Sequence, residues 1–457
     1  MEARARAIPE PALAAAGQAG RPHEDDAPRL TGVSPLPAGA SPHAGRGLTA
    51  FVAVLGVAAF LAAWGTLHYG FYTHRLLLDT PIYEHYGDAT LRGHVPYRDF
   101  AVEYPPGALP VFVLPSALSG QGQFGTYTRV FEGLMGFCGM LAVASVAVIL
   151  VRLERRRLRL AAALGLAAFG SLALGPVVLS RFDLWPATLT VGSLALLVCG
   201  RRRLAFALLG LAFAAKLFPV VLLPPMLIYV WRRHGRREGL LGGVASMGVA
   251  LACFAPFLVL SPHGVWASLV GQASRPLQIE SLGASLLLAG HQVWGLGLTM
   301  GVSHGSNNLV GSVPHSLALG QAVLQALALV ALWIGFARGP ANLERLMRTC
   351  AACVCAFVAF GKVLSPQYLV WLLPLVPLLR GRRGAIAGAL LVLSMLLTQL
   401  WFPYRYLDLV YQFDARASWL VLARDLTLVA LLATLAWPQR RLAGQLPRPD
   451  PVPALAS

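Results

Sequence analysis

Asp79-Thr-Pro-Ile-Tyr83-Glu84-His-Tyr-Gly-Asp88-Ala-Thr-Leu-Arg92-Gly93-His-Val-Pro96-Tyr97-Arg98-Asp99-Phe-Ala-Val-Glu103-Tyr104-Pro105-Pro106-Gly107 is a charged stretch inside a chain that otherwise avoids charge. It holds five of the 20 carboxylate side chains among 457 residues. Just before it, residues 48–67 form an apolar run long enough to cross a hydrocarbon core of roughly 30 Å at about 1.5 Å per helical residue. A carboxylate-rich loop emerging at a membrane face is a candidate catalytic mouth.

The composition supports that setting. With 56% hydrophobic and 12% charged residues, against about a quarter charged in soluble domains, the chain is a polytopic membrane protein. Its formal net charge of +17 is gathered in short bursts between apolar runs, at residues 152–159, 201–203, 232–237 and 380–383. That is the positive-inside pattern, so the charge reports topology and implies no nucleic acid. Residues 1–47 and 438–457 are rich in Ala, Pro and charge and read as cytoplasmic tails, the first of them disordered. Cys350, Cys353 and Cys355 have no His or acidic neighbour and read as small buried apolar side chains.

Setting every basic burst in the cytoplasm predicts about 12 spans within residues 48–437, with both termini cytoplasmic and the charged loop outside. The spans fall at 48–67, 125–151, 160–179, 184–200, a pair within 204–231 that meets at Lys216, 240–260, 316–336, 349–363, 368–379, 385–401 and 419–437. Residues 108–118, roughly 17 Å as a helix, are too short to cross and read as an interfacial or re-entrant segment. Residues 261–314 are polar, Gly-rich and interrupted, and parity keeps them external. The predicted fold is all-α with a large first external loop. Asp79, Asp88, Arg181, Asp183, Lys216, Arg275, Glu280 and Lys362 then share one side, and a charge at membrane depth, at about 2.5–3.5 kcal/mol on insertion scales, needs a partner or a task.

Asp79-x-x-Ile82-Tyr83, Gly93-x-x-Pro96-Tyr97 and Glu103-Tyr104-Pro105-Pro106 follow the first span in that order. Ser180-Arg181-Phe182-Asp183, Lys216-Leu-Phe-Pro219, Arg275-Pro276-Leu-Gln278-Ile-Glu280-Ser281 and Lys362-Val-Leu-Ser365-Pro366-Gln367-Tyr368 come later. The series resembles the polyprenol-phosphate-sugar-dependent glycosyltransferases of the GT-C fold, most closely the family 87 mannosyltransferases of actinobacteria, over residues 50–435. The resemblance implies a lipid-phosphate sugar donor, inverting transfer on the outer face, and an aspartate of the first external loop as general base. That role maps onto Asp79.

Inverting transfer needs a carboxylate to take the acceptor's proton and cations to meet the charge developing on the departing phosphate. Asp79 suits the base, with Asp88 as the second candidate. Lys216, Arg275 and Lys362 are candidates for the donor phosphate, and Tyr83, Arg181, Asp183, Gln278, Glu280 and Gln367 for other substrate contacts. Asp99 and Glu103 read as partners of Arg98 and other loop arginines, and Arg181 with Asp183 as an ion pair or helix cap. Residues 401–406 read as an interfacial aromatic belt. The external histidines lack ligand spacing, so neither metal nor cofactor is expected. The expected partners are a polyprenyl-phosphate sugar, a cell-envelope glycolipid or polysaccharide acceptor and the bilayer. A flippase for a lipid-linked sugar is the rival reading, and a non-catalytic assembly protein leaves the clustered charges without a role.

Overall fold

A computed structural model describes residues 42–73, 77–153 and 156–437. Of the tails expected at residues 1–47 and 438–457, residues 1–41 and 438–457 lie outside the described residues. The first apolar run is α1 (Pro42–Thr66), which begins inside the stretch read as tail. The charged stretch is loop only in part, because α2 (Thr80–Leu91) starts directly after Asp79, with Pro81 in its first turn where a missing N–H is harmless. Its Tyr83, Tyr86, Gly87 and Ala89 face inward at helical spacing. Gly93 takes a positive φ, 87°, and turns the chain out of the helix.

The short segment that follows is α3 (Pro110–Ser119), and α4 (Phe124–Leu153), α5 (Arg157–Leu174) and α6 (Leu184–Val198) come next. The expected break at Lys216 separates α7 (Arg202–Ala215) from α8 (Leu223–His234), with a 3₁₀ turn at Phe218–Leu222 between them. Pro219, Pro224 and Pro225 withhold the backbone donors that a continuous helix needs. α7 has 14 residues, so the arginine cluster at its start and Lys216 at its end stand about 21 Å apart. After α9 (Arg236–Leu260), the segment read as interrupted contains α10 (Pro262–Ala273), β1 (Leu277–Gln278), α11 (Leu282–Trp294), β2 (Thr299–Ser303) and β3 (Ser306–Val310).

The three strands form an antiparallel sheet in the order β1-β3-β2, with Gln278 opposite Asn308 and Met300 opposite Leu309. This sheet is a small departure from an all-α fold. β2 and β3 are joined by His304-Gly305, whose φ values of 52° and 63° suit a two-residue hairpin turn.

The chain closes with α12 (Ser312–Arg338), α13 (Leu343–Ala359), α14 (Gly381–Gln399), α15 (Tyr406–Gln412) and α16 (Ala415–Ala436). Between α13 and α14, the helix expected at 368–379 is replaced by 3₁₀ turns at Pro366–Trp371 and Val376–Leu378. Pro366, Pro374 and Pro377 break the i to i−4 ladder there, and the segment is buried. Of the described helices, α1, α4, α5, α9, α12, α14 and α16 are long and apolar enough to cross a membrane. The remaining expected crossings fall on α6, α7, α8, α13 and the 3₁₀ segment. α7 packs between α6 and α9, and α16 against α13 and α14. Cys350, Cys353 and Cys355 are buried in α13.

Candidate active site

A cavity of about 610 Å³ opens where the start of α2, the turn before α6, the end of α7, the end of α10, the β2-β3 hairpin and residues 361–371 meet. Of the residues singled out from sequence, Asp79, Arg181, Lys216, Arg275, Gln278, Glu280, Lys362 and Gln367 line it. Tyr83, Asp88 and Asp183 do not.

Asp79 holds the N-cap position of α2, but its side chain makes no capping bond. Its carboxylate instead forms an ion pair with Nη1 of Arg181 and accepts the Tyr83 hydroxyl at 3.3 Å. The expected Arg181–Asp183 pair is thus replaced by a pair with Asp79. Arg181 also donates through Nη2 to the Leu77 carbonyl at 3.0 Å. Tyr83 is buried behind the base candidate, in a cluster with Tyr104, Phe112, Phe131 and Phe182, and serves as its support.

Lys216 emerges where α7 stops. Its Nζ donates to Asp183 Oδ1 at 2.6 Å and lies over the rings of Phe182, Trp371, Tyr368 and Tyr104, at 4.6, 5.1, 5.3 and 6.0 Å from their centroids. Burial lowers its pKa, and the Asp183 carboxylate works against that shift. The Tyr-Pro-Pro-Gly turn fits closely beside it: a Cβ on Gly107 would come within 2.6 Å of the Ala214 backbone, and the Gly107 carbonyl accepts Trp185 Nε1 at 3.0 Å. Glycine there brings the charged stretch onto the last turn of α7.

The second pair of cations sits on strapped backbone. Lys362 donates to the Ala273 carbonyl at 2.8 Å, and the Gln278 N–H donates to the Lys362 carbonyl at 3.0 Å. Arg275 donates through Nη2 to the His304 carbonyl at 2.9 Å, so the hairpin turn aims it. Gln278 donates to Ser365 Oγ at 3.1 Å and leaves its own Oε1 without a partner, as do Gln367 Oε1 and Glu280 Oε2. Burial pushes the Glu280 carboxyl up to about 8, against the pull of Arg424 and Arg181. The Arg424 guanidinium, wholly buried in α16, donates to the Glu280 carbonyl at 2.7 Å.

Asp88 stands apart. It is buried on α2 and accepts the Gly122 N–H at 2.8 Å, which fastens the turn ahead of α4. Asp99 pairs with Arg98 at 2.9 Å, as its sequence position suggests. Glu103, expected beside a loop arginine, lines the cavity instead, and the hairpin tip at Gly305 approaches its carboxylate. The start and body of α10 hold its loop: Ser261, at the N-cap position, and Ser268 and Gln272, within the helix, donate to the carbonyls of Tyr97, Val102 and Glu103. The aromatic belt is also corrected, since Trp401, Phe402 and Tyr406 are buried and the latter two line the cavity. The sequence reading missed Tyr104, Tyr368 and Trp371 as the rings around Lys216. Their signal was present, because Tyr104 and Tyr368 sit inside motifs already singled out. Among the described residues, no group of three or more His, Cys, Asp or Glu side chains is placed to hold a metal ion.

Four cations and three carboxylates around one cavity of a helical membrane protein define a site with the charge to hold an anionic ligand. More particularly, the chain belongs to glycosyltransferase family 87, whose sequence profile matches residues 102–366. The fold is accordingly that of a GT-C-like polytopic membrane protein, and the activity class is glycosyl transfer. The matched range includes Glu103, Arg181, Lys216, Arg275, Glu280 and Lys362, whereas Asp79 and Asp88 precede it. Among solved structures, the chain is similar to the crystal structure of ArnT from Cupriavidus metallidurans bound to undecaprenyl phosphate, at 16% identity and a TM-score of 0.46, over 85% of this chain and 77% of that one. No curated protein matches the chain.

Proposed function

We propose that the chain transfers a sugar, mannose in the first instance, from a polyprenyl phosphate to a cell-envelope glycolipid or polysaccharide on the external face of the cytoplasmic membrane. The observation that carries this reading is the convergence of Arg181, Lys216, Arg275 and Lys362 on one cavity that also holds Asp79. Four cations suit a phosphate that gains charge as it departs. Leu269, Ala322, Phe357 and Val363 supply an apolar wall for the first isoprene units. The arginine clusters at the far end of α7 favour a cytoplasmic position for that end and for both termini, which leaves the cavity outside.

In this mechanism the acceptor oxygen attacks C1 from the face opposite the phosphate. The new C1–O bond forms as the C1–phosphate oxygen bond breaks, and the electron pair leaves on the phosphate. Asp79 takes the acceptor hydroxyl's proton. Arg275 and Lys362, each held by a single backbone carbonyl, keep donor capacity for the phosphate. Lys216 adds positive potential from its fixed place against Asp183. No cofactor is assigned a role.

The test is transfer by purified protein in detergent, supplied with polyprenyl-phosphate mannose and an envelope glycolipid fraction and read by mass spectrometry. A product heavier by one hexose supports the reading. Its absence across mannosyl, glucosyl and arabinosyl donors, with folded protein, contradicts it and favours the flippase, which needs a bilayer.

A further inference from the structure

Arg181 and Asp79 pose a chemical conflict. A carboxylate at an N-cap position ordinarily accepts an N–H from the first helical turn, an arrangement worth about 1 kcal/mol. Asp79 forgoes that bond and turns to Arg181, while Tyr83 donates to the same carboxylate oxygen. The oxygen so engaged, Oδ2, has its lone pairs occupied, and a fixed positive charge stands beside the whole carboxylate, so it is poorly placed to accept a proton.

Arg181 is 8% exposed, with Nη2 on the Leu77 carbonyl and Nε buried without a partner. Its guanidinium carries five N–H donors, and an anion entering the cavity that Arg181 lines competes with Asp79 for the positive charge they both face. A phosphate oxygen is a strong partner for a guanidinium fork.

Building on the lipid-phosphate donor reading, we infer that Arg181 is a shared cation: in the empty site it holds Asp79, and on donor binding it passes to the phosphate and frees Asp79 to act as base. Donor then binds before the carboxylate is released toward acceptor, and the base is quiet when no donor is present. In this account Arg181 touches substrate, and its second task is to couple donor occupancy to the state of the base.

The coupling is measurable without turnover. Undecaprenyl monophosphate, which has no sugar to transfer, is titrated in detergent against wild type, Asp79→Asn, Asp79→Ala, Arg181→Ala and the double variant Asp79→Asn/Arg181→Ala, each first checked by thermal unfolding. Removing the competitor for Arg181 should tighten lipid-phosphate binding by about fivefold or more, the lower end of ordinary coupling between sites. Arg181→Ala should weaken binding, and adding Asp79→Asn to it should change nothing. Either folded Asp79 variant showing the gain is sufficient support. If wild type binds and both Asp79 variants bind no more tightly, the sharing of Arg181 is overturned while the donor reading stands. If wild type does not bind the lipid at all, the donor reading fails and this inference falls with it.

Discussion

Asp183 Oδ1 accepts both Lys216 Nζ at 2.6 Å and Trp371 Nε1 at 2.7 Å, which ties the break after α7 to the 3₁₀ segment that follows α13. The Asp183 side chain is 2% exposed and the Lys216 side chain 14%. Lys216 therefore serves as a fixed charge in the cavity wall, with no freedom to reach out as a mobile arm.

Asp183→Asn removes the charge that balances a buried ammonium. Breaking one side of a buried pair costs about 3–5 kcal/mol, so the variant should unfold at a clearly lower temperature in detergent. Lys216→Ala should lose stability as well as donor use. A melting temperature for Asp183→Asn within error of wild type contradicts the assignment of this pair as structural.

Glu280 introduces a pH dependence with a defined sign. Its folded-state pKa of about 8 lies above the ordinary value of 4.5 because of burial, with Asp425 raising it further and Arg424 and Arg181 opposing. Tyr406 and Tyr368 also face it. Between those two values the folded protein holds a proton that the unfolded chain has released, so this contribution is fully present below 4.5 and is lost as pH rises toward 8. Thermal unfolding across that window should show wild type losing stability relative to Glu280→Gln as pH rises. Parallel curves for the two proteins contradict it.

The hairpin tip provides a local test of the cavity roof. At Gly305, φ is +63° and an added Cβ would lie 2.9 Å from Glu103 Oε1. Gly305→Ala should cost about 1–2 kcal/mol through the left-handed backbone and push the Glu103 carboxylate aside. Because the same turn aims Arg275, we expect lower turnover and a raised KM for donor in steady-state assays. Unchanged kinetics mean that the hairpin does not position Arg275 for the donor phosphate.

Much of the fold was legible because membrane chains write their crossings as apolar runs. The break at Lys216 could be read from a polar residue midway along a run that begins and ends beside basic clusters. The less legible parts are those where local polarity and tertiary burial disagree. α2 looked like loop because its carboxylates drew attention away from the spacing of Tyr83, Tyr86 and Ala89. Residues 368–379 looked like a helix because they are apolar, although Pro374 and Pro377 argue against one. β2 and β3 were hidden in a Gly-rich stretch, since Ser306-Asn-Asn-Leu-Val310 does not alternate apolar with polar residues and Gly305 alone hinted at a turn. No sequence spacing joins Asp183 to Lys216 or Asp79 to Arg181. Those pairs arise when separate helix ends meet at one cavity.

The most direct test of the account is the transfer rate of Asp79→Asn, measured beside Asp88→Asn with a polyprenyl-phosphate sugar and matched for expression and thermal stability. The amide preserves the shape of the carboxylate but cannot take the acceptor's proton, so turnover should fall by about 10²–10⁴. Asp88→Asn, which keeps an oxygen for the Gly122 N–H, should stay near wild type. If Asp79→Asn keeps more than about a third of wild-type turnover while Asp88→Asn is inactive, the loss expected of a missing general base has appeared at the wrong carboxylate and the assignment of Asp79 is contradicted.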